Sequence, residues 1–326
     1  MAGFFYTIRA KLTAKTVPPE RAAASFASFS PVVTWGKSFE DRYRHWDKEQ
    51  KPTRSSIQEL TIYKKFIGPI AQGKKVLVLG PTPELRDFAA GCNATVVVAD
   101  ISPVCIEEAT KYLTTADPRN EQRIVGNWLS LPFPDGYFDI VLGDMVLNQF
   151  PPDTKEREFL REMRRICAAA GKFVSRFIFT DPDFLPKSLP DAVQQRTEDP
   201  SLSRQEKVQA IAIMSLGCTY DRSSRLNNLY GAWKVLEELC ATKEIGWRAR
   251  SMVRDAIQHL KNNGLPGGRW WTYPSETGLM RLITEYFDIT ERAYATDQPF
   301  GRFLPVMSCA PKRSTQQPSP LHVDNP

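Results

Sequence analysis

From Ser56 the apolar positions Ile57, Leu60, Tyr63 and Ile67 recur at intervals of three and four, the period of a helix with one buried face, and Gly73 closes the segment. The pattern then changes. Apolar runs at Val76–Leu79, Thr95–Ala99, Arg123–Val125, Phe138–Leu142 and Lys172–Phe179 alternate with helical stretches. Such runs predict strands covered on both faces. Ser102 is placed to N-cap the helix after Asp100, with Pro103 in its first turn. The helix starting near Asp153 or Thr154 presents Phe159, Leu160, Met163, Ile166 and Cys167 on one side, and Gly171 suits its left-handed C-terminal position. Strand–helix alternation of this kind predicts βαβ units and an open parallel sheet.

Pro182, Pro186 and Pro190 break the alternation, and helical periodicity takes over. Leu226, Leu229, Tyr230 and Trp233 make one stripe, and Met252, Val253, Ile257 and Leu260 another. Ser275 opens a last helix with Leu279, Leu282, Ile283 and Tyr286 inward, before strand-like runs at Phe287–Tyr294 and Arg302–Cys309. The expected architecture is α/β, doubly wound and mostly parallel, with seven strands and a helical insertion before the last two. Its parts are an N-terminal cap (1–72), a ligand-binding half (73–180), the insertion (181–286), two closing strands (287–310) and a disordered Pro/Ser/Gln-rich tail (311–326). An insertion at this place lies near the carboxyl ends of the strands, which makes it the expected substrate lid; an extra packing layer is the plainer alternative.

Composition narrows this only a little. With 326 residues, 42% hydrophobic and 25% charged, the chain has ordinary globular content, and its net charge of +6 is mildly basic. The six cysteines, at 92, 105, 167, 218, 240 and 309, form no Cys-x-x-Cys and have no neighbouring histidine, so they read as small core residues in a reducing compartment, with no metal site. No apolar run is long enough to span a bilayer. The start, Met1–Pro19, is basic and acid-free, but its apolar run is too short for a secretory core. A cytoplasmic protein with no membrane partner is expected. Lys and Arg are spread along the chain with no arginine-rich arm, which argues against a nucleic-acid partner.

The chemistry concentrates between Lys74 and Phe150. A strand ending in the turn Gly80-Pro81-Thr82-Pro83-Glu84 is followed by Val96-Val97-Val98-Ala99-Asp100, a second strand ending in an acid. This is how an open sheet grips a nucleoside: backbone approaches at the turn and the acid takes the ribose hydroxyls. The run from Asn127 to Asp144, with Leu131-Pro132-Phe133 and Phe138-Asp139-Ile140-Val141, resembles the class I S-adenosylmethionine-dependent methyltransferases. The resemblance covers about two-thirds of the chain and implies a Rossmann-like methyltransferase fold with S-adenosyl-L-methionine as cofactor. It implies cofactor contacts from Gly80, Thr82, Glu84, Asp100, Ile101, Asn127, Trp128, Gly143 and Asp144: Asp100 on the ribose, Asn127 and Trp128 on the adenine, Gly143 and Asp144 beside the methionine. The first turn departs from the family's glycine-rich pattern. Val78 stands where an acid is usual, and Thr82 and Glu84 stand at the later glycine positions. Two prolines there remove N–H donors, which disfavours a dinucleotide but not a phosphate-free cofactor, and Glu84 can supply the lost charge opposite the cofactor's ammonium.

Methyl transfer from a sulfonium needs alignment first and a base only where the acceptor carries a proton. Candidates for that step are His45, Asn148 and His259; the third histidine, His322, falls in the tail. Arg54 is a candidate carboxylate holder or a solvated surface charge, and Trp270, Trp271 and Tyr273 stack a flat substrate or plug the lid. The leading expectation is methyl transfer to oxygen or nitrogen of a small-molecule acceptor, aromatic ones included. A non-catalytic methyltransferase-like scaffold and a methyltransferase of RNA or protein stay open beside it, as do the acceptor itself and the oligomeric state.

Overall fold

Strand β1 (Lys75–Leu79) lies inside a seven-stranded sheet, parallel to β2 (Thr95–Asp100) on one side and to β4 (Phe138–Asp144) on the other. Its residues alternate between two cores: Leu77 and Leu79 face one with Val97, Phe138, Val141 and Phe173, while Val76 and Val78 face the other with Tyr63, Leu85, Val96 and Leu142. Burial on both faces is what makes the run read as continuously apolar, and each such side chain contributes about 1.5–3 kcal/mol. With β3 (Glu121–Val125), β5 (Cys167–Arg176), β9 (Phe287–Ala293) and β10 (Val306–Pro311), the order is β3-β2-β1-β4-β5-β10-β9. Only β10 runs antiparallel, between β5 and β9. The chain reverses its winding between β1 and β4, so the crevice at their carboxyl ends is the place for a ligand.

The computed structural model describes residues 36–312 except 50, 70–72, 93, 153, 181–187, 264–268 and 299. The basic start Met1–Pro19, the tail from residue 313 and His322 lie outside the described residues, as do Asp153, Pro182 and Pro186.

Helices α1 (Gly36–Arg44) and α2 (Ile57–Ile67) precede the sheet. Ser56 and Glu59 form a capping box at the start of α2. The helix ends at Gly68, with φ 68°, and not at Gly73 as expected; Gly73, with φ 84°, precedes β1. Helices α3 (Pro83–Ala90), α4 (Pro103–Thr110) and α5 (Thr154–Ile166) alternate with β1–β5, and the Ser102 hydroxyl caps α4 by accepting from Cys105 N at 3.2 Å. Ile57, expected on the buried face of α2, is exposed, and Phe66 fills the core in its place. Gly171 lies within β5, not at the end of α5: a β-carbon there would stand 2.8 Å from Asp139 O, so close strand approach is what demands glycine.

After β5 the chain leaves the sheet. Helices α6 (Leu189–Glu198), α7 (Arg204–Cys218), α8 (Leu229–Ala241) and α9 (Trp247–Asn263) pack around their own core, built on Val193, Ile211, Leu236, Val253 and Leu260. A small antiparallel sheet, β6 (Tyr220–Asp221), β7 (Leu226–Asn228) and β8 (Arg269–Trp271), joins them. Leu226 therefore belongs to a strand, and the buried face of α8 is Ala232, Leu236 and Leu239, with Tyr230 exposed. Helix α10 (Glu276–Ile283), capped by Ser275, returns the chain to β9. Among the described residues no helix is long and apolar enough to cross a membrane.

Candidate active site

The turn after β1 opens with Gly80 at φ 78°, its N–H bonded to Ala99 O at 2.9 Å. The Trp128 indole N–H donates to the same carbonyl at 2.8 Å. A β-carbon on Gly80 would stand 3.6 Å from the Trp128 ring and 4.0 Å from Asp100 Oδ2. Glycine thus lets the backbone, an indole and a carboxylate converge at the strand ends. Asp100 is buried; its Oδ1 accepts from Ser102 N at 2.8 Å while Oδ2 turns toward Gly80. Burial lifts its carboxyl to about 7, against the pull of the Ser102 and Ile101 N–H groups. Helix α1 places Tyr43 beside Asp100 and Thr82 and stacks it on Trp46 at 4.9 Å. Asn127 is also buried, and its Oδ1 accepts from Leu129 N at 3.0 Å, which leaves its NH₂ to donate to a ligand. Ile101 is exposed.

Glu84 is gripped by two residues of the N-terminal segment: Trp46 Nε1 donates to it at 3.1 Å and Arg54 at 2.8 and 2.5 Å. Arg54 is therefore neither a lone surface charge nor free of a partner.

The end of β4 is tied into a buried ion cluster. Arg176, at the end of β5, donates from Nε to Asp144 Oδ1 at 2.6 Å and from Nη2 to Oδ2 at 3.0 Å, and from Nη1 to Glu59 Oε2 at 2.8 Å. Burial alone would favour the neutral guanidine, but Asp144 and Glu59 hold Arg176 firmly protonated. Ser55 Oγ adds a bond to Asp144 at 3.1 Å, and Gln298 donates to Glu59. Gly143 has no room for a side chain, since a β-carbon would meet Val146 at 2.9 Å, and its carbonyl accepts from Tyr63 OH at 2.6 Å. Met145 follows with φ 51°, a left-handed conformation rare for this residue.

Above these strand ends lies a cavity of about 510 Å³. Thr82, Asp144, Met145, Asn148 and Gln149 line it from the sheet, Phe39, Arg42, Tyr43 and Trp46 from the N-terminal segment, and residues of α6, α7 and α9 from the insertion. Asn148 is buried and His259 lines the opposite wall, its imidazole pushed down to about 4 by burial and by Arg42. The structure thus brings Thr82, Asp144, Asn148 and His259 onto one cavity. Gly80, Asp100, Asn127 and Trp128 converge beside it. His45 is exposed, bonded to Asp41 O at 3.0 Å, and does not line it. Arg42, Tyr43, Met145 and Gln209 of the lining, and Arg176 beneath it, carry nothing local in the sequence that marks them as site residues. Among the described residues no three His, Cys, Asp or Glu side chains group as a metal site would require.

Residues 79–175, from the end of β1 through β5, match the family described as methyltransferase domain. Residues 79–175 form a methyltransferase domain on the seven-stranded sheet. No curated protein is significantly similar in sequence. Among solved structures, a Rhodobacter sphaeroides protein described as a Zn-dependent alcohol dehydrogenase is similar in fold, with a TM-score of 0.53, 16% identity, and 84% of this chain covered against 99% of that one. The N-methyltransferase NodS from Bradyrhizobium japonicum, in complex with S-adenosyl-L-homocysteine, has a TM-score of 0.49 and 12% identity, over 86% of this chain and all (100%) of that one. A Burkholderia thailandensis 1,6-didemethyltoxoflavin-N1-methyltransferase has 0.48 and 13%, over 94% and 99%. The donor set fits S-adenosyl-L-methionine: a buried carboxylate aimed at the turn glycine and an amide just after the third strand.

Proposed function

We propose that the enzyme methylates oxygen or nitrogen of a small molecule held between the strand ends and the inserted helices. The observation that carries this is the cavity of about 510 Å³, floored by Thr82, Asp144 and Asn148 and closed above by α6, α7 and α9. A volume in this range suits a small ligand, whereas a macromolecule needs an open face. The cofactor supplies an activated methyl group on a sulfonium; the protein aligns the acceptor with it.

On this reading Asp100 accepts hydrogen bonds from the ribose hydroxyls, and Asn127 and Trp128 flank the adenine. Glu84 and Arg54 neutralise each other at 2.5 Å, so a zwitterion can enter with its ammonium on the carboxylate and its carboxylate on the guanidinium, exchanging like for like. The pair takes over what Val78, sunk in the core, cannot provide. Asp144, fully engaged by Arg176 and Ser55, is a fixed wall and not a base. His259, neutral above about pH 4, and Asn148 orient the acceptor. The lid role of the insertion (181–286) follows the same reading; Trp271 and Tyr273 do not line the cavity, and the bond from Tyr273 OH to Glu156 at 2.9 Å favours plugging the insertion onto the domain over stacking a substrate.

The test incubates the purified full chain with methyl-labelled cofactor and a cell extract separated by size. Label should enter the small-molecule fraction. Label confined to RNA or protein would overturn the acceptor class, and no binding of S-adenosyl-L-homocysteine at millimolar concentration would overturn the enzyme itself.

A further inference from the structure

We propose that the acceptor is an organic acid, a carboxylate on a small apolar body, seated with its carboxylate on Arg42 in the wall that α1 gives the cavity. The proposal rests on the methyltransferase reading and names its second substrate.

Charge is distributed unevenly across the cavity. Among the described lining residues three are arginines, Arg42, Arg196 and Arg302, and one is a carboxylate, Asp144. Asp144 lies at the floor with Arg176 locked onto it at 2.6 Å, so it offers no counter-ion to the far wall. Arg196 pairs with Asp199 at 3.4 Å, and Arg302 stacks over the Phe303 ring at 5.0 Å. Arg42 is different. Its side chain is 10% exposed and forms only a long ion pair with Glu49, 4.0 Å away and without a hydrogen bond, and Glu49 Oε2 is itself buried without a partner. Arg42 Nε is buried without a hydrogen-bond partner. A buried guanidinium N–H left unpaired is costly, and a carboxylate is the group that satisfies it best.

A second orphan lines the same cavity. Gln209 on α7 is buried, and its Oε1 accepts no hydrogen bond. An acceptor oxygen there calls for an O–H or N–H on the ligand. Apolar side chains, Phe39, Ile213, Phe179 and Leu260 among them, also line the cavity. The floor thus offers no free charge, whereas the α1 wall offers a cation to an anion. The acceptor the cavity describes has one carboxylate, an apolar or aromatic body and a hydroxyl or amine.

Calorimetry on the full chain loaded with S-adenosyl-L-homocysteine tests this with three probes, 4-hydroxybenzoate, phenylacetate and indole-3-acetate, each beside its carboxamide. At least one acid should bind, about tenfold or more tighter than its amide, the usual value of a hydrogen bond to a charged group. Arg42→Gln should erase that preference and Arg42→Lys keep part of it, both with unchanged near-ultraviolet circular dichroism. Should Arg42→Gln not fold, Gln209→Glu places a negative charge in the same cavity and should weaken the acid while sparing the amide. Equal binding of acid and amide, no binding of any acid, or a preference that survives these variants overturns the proposal. Failure to load S-adenosyl-L-homocysteine strikes the methyltransferase reading instead, so the two failures are separable.

Discussion

Burial at the end of β2, beneath the residue Tyr43 of the cap helix, keeps a proton on Asp100 up to about pH 7, while an unfolded aspartate loses it near its ordinary value of 3.8. Between those values the folded chain binds more protons than the unfolded one, so this group makes stability fall as pH rises through the window and adds no further slope above it. Cofactor binding takes the opposite sign, because only the carboxylate accepts from both ribose hydroxyls. Affinity for S-adenosyl-L-homocysteine should rise about tenfold from pH 6 to pH 8, following the ionised fraction. Asp100→Asn should flatten that dependence and bind roughly tenfold or more weakly at pH 8. Calorimetry at the two pH values decides it; equal wild-type affinities would remove Asp100 from the ribose. Glu84→Gln belongs to the same scale. It breaks the charge match with Arg54, and should weaken cofactor binding by about tenfold while leaving the pH dependence intact.

Three elements, α2, β4 and β5, are latched by one guanidinium, with Arg176 reaching Glu59 at 2.8 Å and Asp144 at 2.6 Å. Arg176→Met should therefore leave two buried carboxylates unmatched and cost about 3–5 kcal/mol in urea unfolding. Ser56→Ala, which removes only the cap of α2, should cost about 1 kcal/mol. A loss for Arg176→Met no larger than that for Ser56→Ala would show the cluster to be dispensable. The same contrast explains what could be read in advance. Strands β1, β2, β4 and β5 announce themselves through apolar runs, and α4 and α10 through Ser102 and Ser275, because those signals are local. Arg176 carries no such signal; its partners stand 117 and 32 positions away, and in sequence it is one more arginine after an apolar run. Arg42 and Gln209 look like solvated helix faces until the cavity closes over them. Strands of two or three residues, as in β6, β7 and β8, are too short for any period to show. Gly171 misleads for the same reason: its need arises from Asp139 across the sheet.

The molecule has separate apolar cores above and below the cavity. The sheet's cores run through β1, β4 and β5, whereas the insertion's core closes on itself between Val193 and Leu260. A unit with its own core, separated from the sheet by a ligand space, is expected to open without unfolding its base. One tether is polar: Arg225, in the turn between β6 and β7, donates to Glu156 of α5 at 3.0 Å, and Tyr273 OH donates to the same carboxylate at 2.9 Å. Glu156 is nearly inaccessible, so Arg225→Ala strands much of its charge and weakens the hold of the insertion on the domain. In hydrogen exchange, amides of α7 and α9 should exchange ahead of those in β1, β4 and β5 in the wild type. Arg225→Ala should speed exchange in α7 and α9 further and leave the central strands unchanged. S-adenosyl-L-homocysteine together with a bound acid should slow it, because the ligands bridge floor and roof. Equal exchange in both parts, or central strands that loosen along with the insertion, would mean that the cavity separates no two units and that its roof is part of one cooperative fold.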